Sequence, residues 1–291
     1  MRIVVTGGSG RLGQFVVREL FSHGHRVSVL DTKKPRECLC PTHTVDLSKV
    51  HALQDFFKGA DGVVHLARQR FPYTENGFDV EAQRWHFTDV AGDAERFNLN
   101  VAITNDVLTA AQVGGARKVV CGSSLAVYGF YYPATPLVPD YLPVDEQHPL
   151  RPQDPYGLTK LVGEKLCDSV SHRAGMQIAS LRFSGIYTEE HRELLLARRR
   201  NPLIRGTGAL WSYVDVRDAA RACRLALEAD FSGHRAFNVC APDTIMETAT
   251  AELVRAYLPQ VTSVRKTDGR WSGYDTAKAE KMLGFRAKLE I

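Results

Sequence analysis

A doubly wound, mostly parallel α/β sheet with a smaller C-terminal lobe is the fold class this sequence predicts. Three observations carry it. Short apolar runs alternate with segments of helical spacing through the first 184 residues. The runs are continuously apolar rather than alternating, as strands buried on both faces require. A glycine turn, Gly7-x-x-Gly10-x-x-Gly13, joins the first apolar run to the first helical segment, which is the context of a dinucleotide-binding unit.

The elements follow in order. RIVVT (2–6) reads as a buried strand, and LGQFVVRELFSHG as a helix ending at Gly24. HRVSVLD (25–31), HTVDL (43–47) and DGVVHLA (61–67) read as strands, with helical spacing in VHALQDFFKGA before the last of them. A glycine-closed helix covers 99–115, a strand 117–124, a long helix 154–175 and a strand 176–184. Parallel neighbours need right-handed crossovers, which the helices supply. Two stretches break the rhythm, 68–98 and the proline-rich 128–153. Both follow the C-terminal ends of strands, where open α/β sheets take ligands. Beyond 184 the pattern is mixed, with strands expected at 211–216 and 236–240. The expected division is a dinucleotide-binding domain over 1–184 and a small substrate-binding lobe over 185–291, elements within 211–240 packing back onto the first.

The totals exclude several classes. A chain of 291 residues can bury a full core, and 44% hydrophobic with 24% charged residues is globular rather than disordered. A net charge of +4, spread along the chain, predicts no nucleic-acid partner. The densest basic run, Arg198 to Arg200, reads as a solvated helix face or as an anchor for an anionic substrate. The six cysteines include no C-x-x-C pair, and Cys38 and Cys40 lack a second pair, so no metal site is expected. No apolar run reaches the ~18 residues that would span a bilayer, and the chain opens on a strand rather than a leader. A soluble, cytoplasmic protein with free thiols and no membrane partner is expected.

In the glycine turn, Gly7 permits the tight bend, Gly10 lets the backbone approach a pyrophosphate at a helix N-terminus, and Gly13 lets the helix lie close to the sheet. Asp31 ends the second strand, 18 residues after Gly13. A carboxylate there accepts from both adenosine ribose hydroxyls and repels a 2′-phosphate, which favours NAD over NADP. Arg11, Lys33 and Lys34 lie near enough to soften that preference.

DPYGLTK places Tyr156 and Lys160 one helical turn apart, directly after a proline. By itself this spacing also fits a surface helix with a solvated lysine. With TGGSGRLG, Asp31, Val45-Asp46-Leu47, His65-Leu66-Ala67, NVAIT (100–104), SSLAVYG (123–129), LRFSGIY (181–187), YVDVRDAA (213–220) and DTAKAEKMLGF (275–285), it resembles the extended short-chain dehydrogenase/reductases of the NAD-dependent epimerase/dehydratase group. The resemblance runs from residue 1 to about 286 and implies a Rossmann domain. It implies that Tyr156 is the general acid/base, Lys160 its partner and nicotinamide-ribose ligand, and Ser124 the hydroxyl that holds the substrate oxygen, with Ser123 as the alternative. It further implies that Arg11 and Leu12 join the glycines at the cofactor, that Asp46 and Leu47 flank the adenine, that Leu66 and Ala67 line the cofactor cleft by their backbone, and that Asn100 orders the sheet edge near the nicotinamide half. The physics agrees: a free phenol, with a pKa of ~10, is a poor base at neutral pH, and a nearby ammonium favours its ionised form.

Departures from the family pattern narrow the activity. Family dehydratases follow the catalytic hydroxyl with an Asp-Glu pair; here Leu125 and Ala126 stand there. Nucleotide-sugar epimerases carry an arginine for the substrate diphosphate where this chain has Trp211, and an indole cannot replace a forked cationic donor. The expectation is therefore a dehydrogenase of a free sugar, sugar acid or polyol. An epimerase that returns its hydride, and a cofactor-sensing regulator without turnover, are the alternatives. Arg182 reads either as a ligand for a substrate carboxylate or as a structural arginine beneath the cleft, with Arg68, Arg70 and Arg205 as further candidates. Family members often pair as homodimers through two long helices, here 99–115 and 154–174. Val101, Val107, Leu108, Leu161 and Val162 serve either that seam or the chain's own core.

Overall fold

Ile3, Val4 and Val5 are all but inaccessible to solvent, because the strand that carries them lies in the middle of a sheet covered on both faces. The computed structural model describes residues 1–35, 37–48, 53–72, 78–79, 82, 84–203 and 209–289. Its main sheet contains β1 (Arg2–Thr6), β2 (Arg26–Asp31), β3 (Thr42–Thr44), β4 (Gly62–His65), β7 (Lys118–Ser124), β8 (Gln177–Phe183) and β11 (His234–Val239). Their order is β11-β8-β7-β4-β1-β2-β3, and every neighbouring pair is parallel. The chain runs outward from β1 to β3 and then restarts at β4 on the other side of β1. That reversal opens a crevice at the C-terminal ends of β1 and β4, the place where such sheets take ligands.

Period-two alternation in the strands feeds two separate cores. Ile3, Val5, Val27, Val29, Val64 and Val120 point to one layer, where they meet Val16 and Leu20 of α1 (Arg11–Ser22), Ala219 and Cys223 of α6 (Val216–Glu228), and Leu283 of α8 (Ala277–Leu283). Val4, Leu30, Val63, Val119 and Ile178 point to the other. There they meet Phe57 of α2 (Gln54–Phe57), Ile103 and Val107 of α3 (Val90–Val113), and Cys167 of α4 (Pro155–Ala174). Val107 and Leu108 are thus fully buried inside this chain and are spent on its own core rather than on a seam between subunits. Val101, Leu161 and Val162 stay half-buried, while Leu99 and Leu158 on the same two helices are exposed.

The third helix starts at Val90, well before residue 99. Its first turns lack apolar periodicity, and Val90 itself is solvent-facing. Polar contacts define them instead: the Asp89 side chain accepts from the Gly92 N–H, and Arg96 bridges Asp89 and Asp93. Before it, β5 (Phe78–Asp79) and β6 (Arg84–Trp85) pair antiparallel.

A third core, built around Tyr128, Phe130, Leu142, Trp211, Leu253 and Trp271, joins residues 125–144 to residues 187–274. Leu195 of α5 (Arg192–Arg198) and Leu253 of α7 (Thr250–Tyr257) belong to it. The strand expected at 211–216 shrinks to β10 (Val214–Asp215), which pairs with β9 (Ile186–Tyr187) outside the main sheet. Trp211 cannot extend it, because its φ of +54° lies in the left-handed region. The indole compensates by burial, only 4% exposed, and donates from Nε1 to the Pro202 carbonyl at 3.1 Å. Removing that side chain is expected to cost about 3–5 kcal/mol. Denaturant unfolding of Trp211→Ala measures it, and a loss below ~1 kcal/mol, ordinary for a surface substitution, would refute a core role for Trp211.

Candidate active site

Helix α4 carries the Tyr156–Lys160 pair expected to do the chemistry. Asp154 caps it by accepting from the Gly157 N–H at 2.8 Å, and Pro155 opens it with a preset φ. Gly157 lets its first turn lie on the 3₁₀ turn Leu125–Tyr128: a Cβ there would come 2.7 Å from the Ala126 carbonyl oxygen. Tyr156, Lys160 and Glu164 then fall on one stripe at i, i+4 and i+8, facing the end of β7.

Each member of the stripe is held differently. Lys160 Nζ donates to the Gly122 carbonyl at 2.7 Å. Burial, and then the charge of Arg68, push its ammonium from the ordinary 10.5 down to about 7. Glu164 accepts from Ser123 Oγ at 2.6 Å and takes both arms of Arg182, at 2.9 and 2.7 Å. The Tyr156 ring lies 5.9 Å from Phe71 and 6.1 Å from Tyr132, centroid to centroid, with the Arg68 guanidinium carbon 5.2 Å from its centroid. Tyr156, Lys160, Arg68, Asn100 and Ser123 line one cleft.

The two serines divide. Ser123 Oγ is committed to Glu164. Ser124 Oγ accepts from the Ala126 N–H at 3.1 Å, and among the described residues its own proton goes to no partner. His65 is structural: its ring sits between the hydroxyls of Thr6 and Thr104, and burial drives it down to about 3.

The glycine turn fits a dinucleotide. Gly7 has φ +74°, and a Cβ there would come 2.5 Å from the Ala67 nitrogen, so the turn lies directly on the Leu66–Ala67 backbone. A Cβ on Gly13 would come 2.1 Å from the Gly7 carbonyl oxygen. No side chain caps α1, leaving the first-turn amides of Arg11 and Leu12 for an anion beside Gly10. Asp31 stands next to this cradle, accepting from the Ser9 and Lys33 N–H groups. Asp46 is tied to Ser48, and Leu47 is buried in the core. Asn100 clamps Gln69 at both its N–H and its carbonyl.

Two residues expected at the substrate are placed elsewhere. Arg182 is 3% exposed, and its donors are engaged by Glu164 and by the Tyr128 hydroxyl, 2.9 Å from Nη1. A guanidinium so committed holds the scaffold rather than a ligand. Trp211 lies inside the lobe core, and its one donor is taken by Pro202. Arg205 lies outside the described residues. Sequence reasoning passed over Glu164, although its position four residues after Lys160 was the available signal. It also passed over the Phe71 and Tyr132 rings, whose place beside Tyr156 depends on loop conformation. Among the described residues no cluster of His, Cys, Asp and Glu could hold a metal, and no helix is long and apolar enough to cross a membrane.

The model of the NAD-dependent epimerase/dehydratase family matches residues 3–240. The chain belongs to this family. It is similar to UDP-glucose 4-epimerase of Corynebacterium glutamicum, 26% identical over 88% of this chain and 80% of that one. It is also similar to L-arabinose 1-dehydrogenase (NAD(P)(+)) of Haloferax volcanii, 30% identical over 78% and 83%. Among solved structures, a short-chain dehydrogenase/reductase superfamily protein from Agrobacterium tumefaciens with bound NAD superposes with a TM-score of 0.71. It is 25% identical, over 100% of this chain and 93% of that one. As a family member the protein is an NAD-dependent enzyme of the extended short-chain dehydrogenase/reductase class.

The depressed Lys160 ammonium has a measurable consequence. In unfolded chain this lysine stays protonated up to its ordinary 10.5, whereas in the folded protein it loses its proton near 7. Between those values the unfolded state binds more protons, so this group's contribution to stability rises with pH. Lys160→Met should therefore flatten the rise in unfolding free energy from pH 7 to about pH 10 relative to the parent protein. Identical pH slopes for the two proteins would show that Lys160 titrates as a solvated lysine.

Proposed function

We propose that this protein is an NAD-dependent dehydrogenase that oxidises one hydroxyl of a free sugar or sugar acid. The observation that carries this reading is the Tyr156–Lys160 stripe of α4 set along the cleft, with Lys160 anchored on Gly122. Tyr156 takes the proton of the substrate hydroxyl as general base. Ser124 directs its free O–H at the same substrate oxygen. Lys160, one helical turn along α4 from Tyr156, takes that proton on from the phenol, as an amine that titrates near 7 is suited to do. Bound NAD supplies the hydride acceptor, so the carbinol becomes a carbonyl.

Residues 1–184 hold the cofactor in this reading, through Gly7, Gly10, Arg11, Leu12, Gly13, Asp31, Asp46, Leu47, Leu66, Ala67, Asn100 and Ser123. Residues 185–291 shape the substrate side, with α6 and β11 returning to the main fold. The buried Trp211 supports a substrate without a nucleotide, because it offers no cation to a diphosphate. A second reading, an epimerase that returns the hydride, draws on the likeness to UDP-glucose 4-epimerase across 88% of the chain. The exposed Leu99 and Leu158 support a homodimer through α3 and α4, and the free thiols suit a cytoplasmic setting.

With the parent protein, reduced-nicotinamide absorbance rises on addition of a free sugar or sugar acid. Tyr156→Phe is expected to lower kcat by about 10²–10⁴-fold, the contribution of general-base catalysis, while NAD affinity measured by calorimetry changes little. Retained turnover in that variant removes Tyr156 from the chemistry. Asp31→Ala should shift the NAD-to-NADP affinity ratio toward NADP by about tenfold or more, the loss of one charged hydrogen-bonding partner. An unchanged ratio would mean that another group reads the ribose.

A further inference from the structure

Arg68 is the first residue beyond the His65-Leu66-Ala67 run that leaves β4. Its successor is pinned at two points. Asn100, itself buried, accepts from the Gln69 N–H at 2.7 Å and donates to the Gln69 carbonyl at 3.0 Å. That clamp fixes the backbone from which Arg68 projects. The side chain then reaches the Tyr156 ring, with its guanidinium carbon 5.2 Å from the centroid, and lines the same cleft as Lys160. A cation held over an aromatic face keeps its N–H donors for another partner. Among the described residues no carboxylate, carbonyl or hydroxyl takes them.

The electrostatics of the cleft are lopsided. Arg68 and Lys160 face it together, closely enough for the first to disfavour the charge of the second. The carboxylate nearest along the catalytic stripe, Glu164, is already saturated by Arg182 and Ser123. Arg68, a cation whose donors no described residue takes, stands beside the Tyr156 ring at the mouth of this cleft and attracts an anion. The planar fork of a guanidinium suits a carboxylate in particular.

The geometry points to Arg68 as a substrate-recognition residue: it binds the carboxylate of a sugar acid whose reacting hydroxyl is presented to Tyr156. This narrows the proposed dehydrogenase to sugar acids and rests on that reading. It also distinguishes Arg68 from Arg182, whose fork is spent inside the scaffold.

The test compares the full-length parent, Arg68→Gln and Arg68→Lys with glucuronate and galacturonate against glucose, galactose and UDP-glucose, using NAD as oxidant. NAD and uronate affinities are measured separately by calorimetry, the latter on the NADH complex. The expected result is a rise in the uronate KM of tenfold or more in Arg68→Gln and a smaller rise in Arg68→Lys. The uronate-to-neutral-sugar ratio of kcat/KM falls to match, and NAD affinity stays within about twofold. Equal losses for charged and neutral sugars would overturn the proposal, as would a matching loss of NAD affinity, which would assign Arg68 to the cofactor phosphates. A loss confined to UDP-glucose would assign it to a diphosphate and overturn the carboxylate. If the parent reduces NAD with no sugar of the panel, the dehydrogenase reading fails and calorimetry alone decides. Uronate binding that Arg68→Gln abolishes upholds the recognition role, and no uronate binding by the parent overturns it.

Discussion

Glu164 and Arg182 exchange two hydrogen bonds, 2.7 and 2.9 Å long, between side chains that are 6% and 4% exposed. Each charge would be costly to bury alone, so neither can leave without the other. The pair joins α4 to β8. Through Ser123 Oγ it reaches β7, and through the Tyr128 hydroxyl, 2.8 Å from Asn238 Oδ1, it reaches β11. Tyr156 and Lys160 lie two turns and one turn N-terminal to Glu164 on the same stripe. The ion pair therefore sets where α4 sits against the strand ends, and with it where Tyr156 lies relative to the serines.

The rest of the site is arranged around that fixed helix. The reversal of strand order between β1 and β4 places the glycine turn and the Leu66–Ala67 backbone together. Asn100, on a helix packed beside α4, then fixes the chain beyond β4 and brings Arg68 and Phe71 to Tyr156. A third core, centred on Tyr128 and Trp211, draws on residues 125–144 and 187–274. Tyr128 belongs both to this core and to the Glu164–Arg182 network, so one side chain links the two.

Much of this was legible from residue order because the signals were local. Continuous apolar runs mark strands buried on two faces, and the three glycines can only serve where backbone meets backbone. Tyr156 and Lys160 are one helical turn apart. What was not legible depends on partners distant in sequence or on polar structure. The first turns of α3 are held by Asp89, Asp93 and Arg96 rather than by an apolar stripe. Arg182 looked equally like a ligand or a strut until Glu164, 18 positions earlier in the chain, was seen across from it. Trp211 stood where family epimerases carry a cation, but its left-handed backbone and its bond to Pro202 come from the fold of the lobe.

On the proposed mechanism, a dehydrogenase and an epimerase would use the same residues up to the first hydride transfer and part afterwards. The fate of the hydride separates them. The most direct measurement supplies the enzyme with NAD and either carbon-deuterated glucuronate or carbon-deuterated UDP-glucose, and follows the label by mass spectrometry. This account requires deuterium from the sugar acid to accumulate in free reduced cofactor, in many-fold excess over enzyme. Deuterium retained in a UDP-sugar whose configuration has inverted, with no net reduced cofactor, would contradict it.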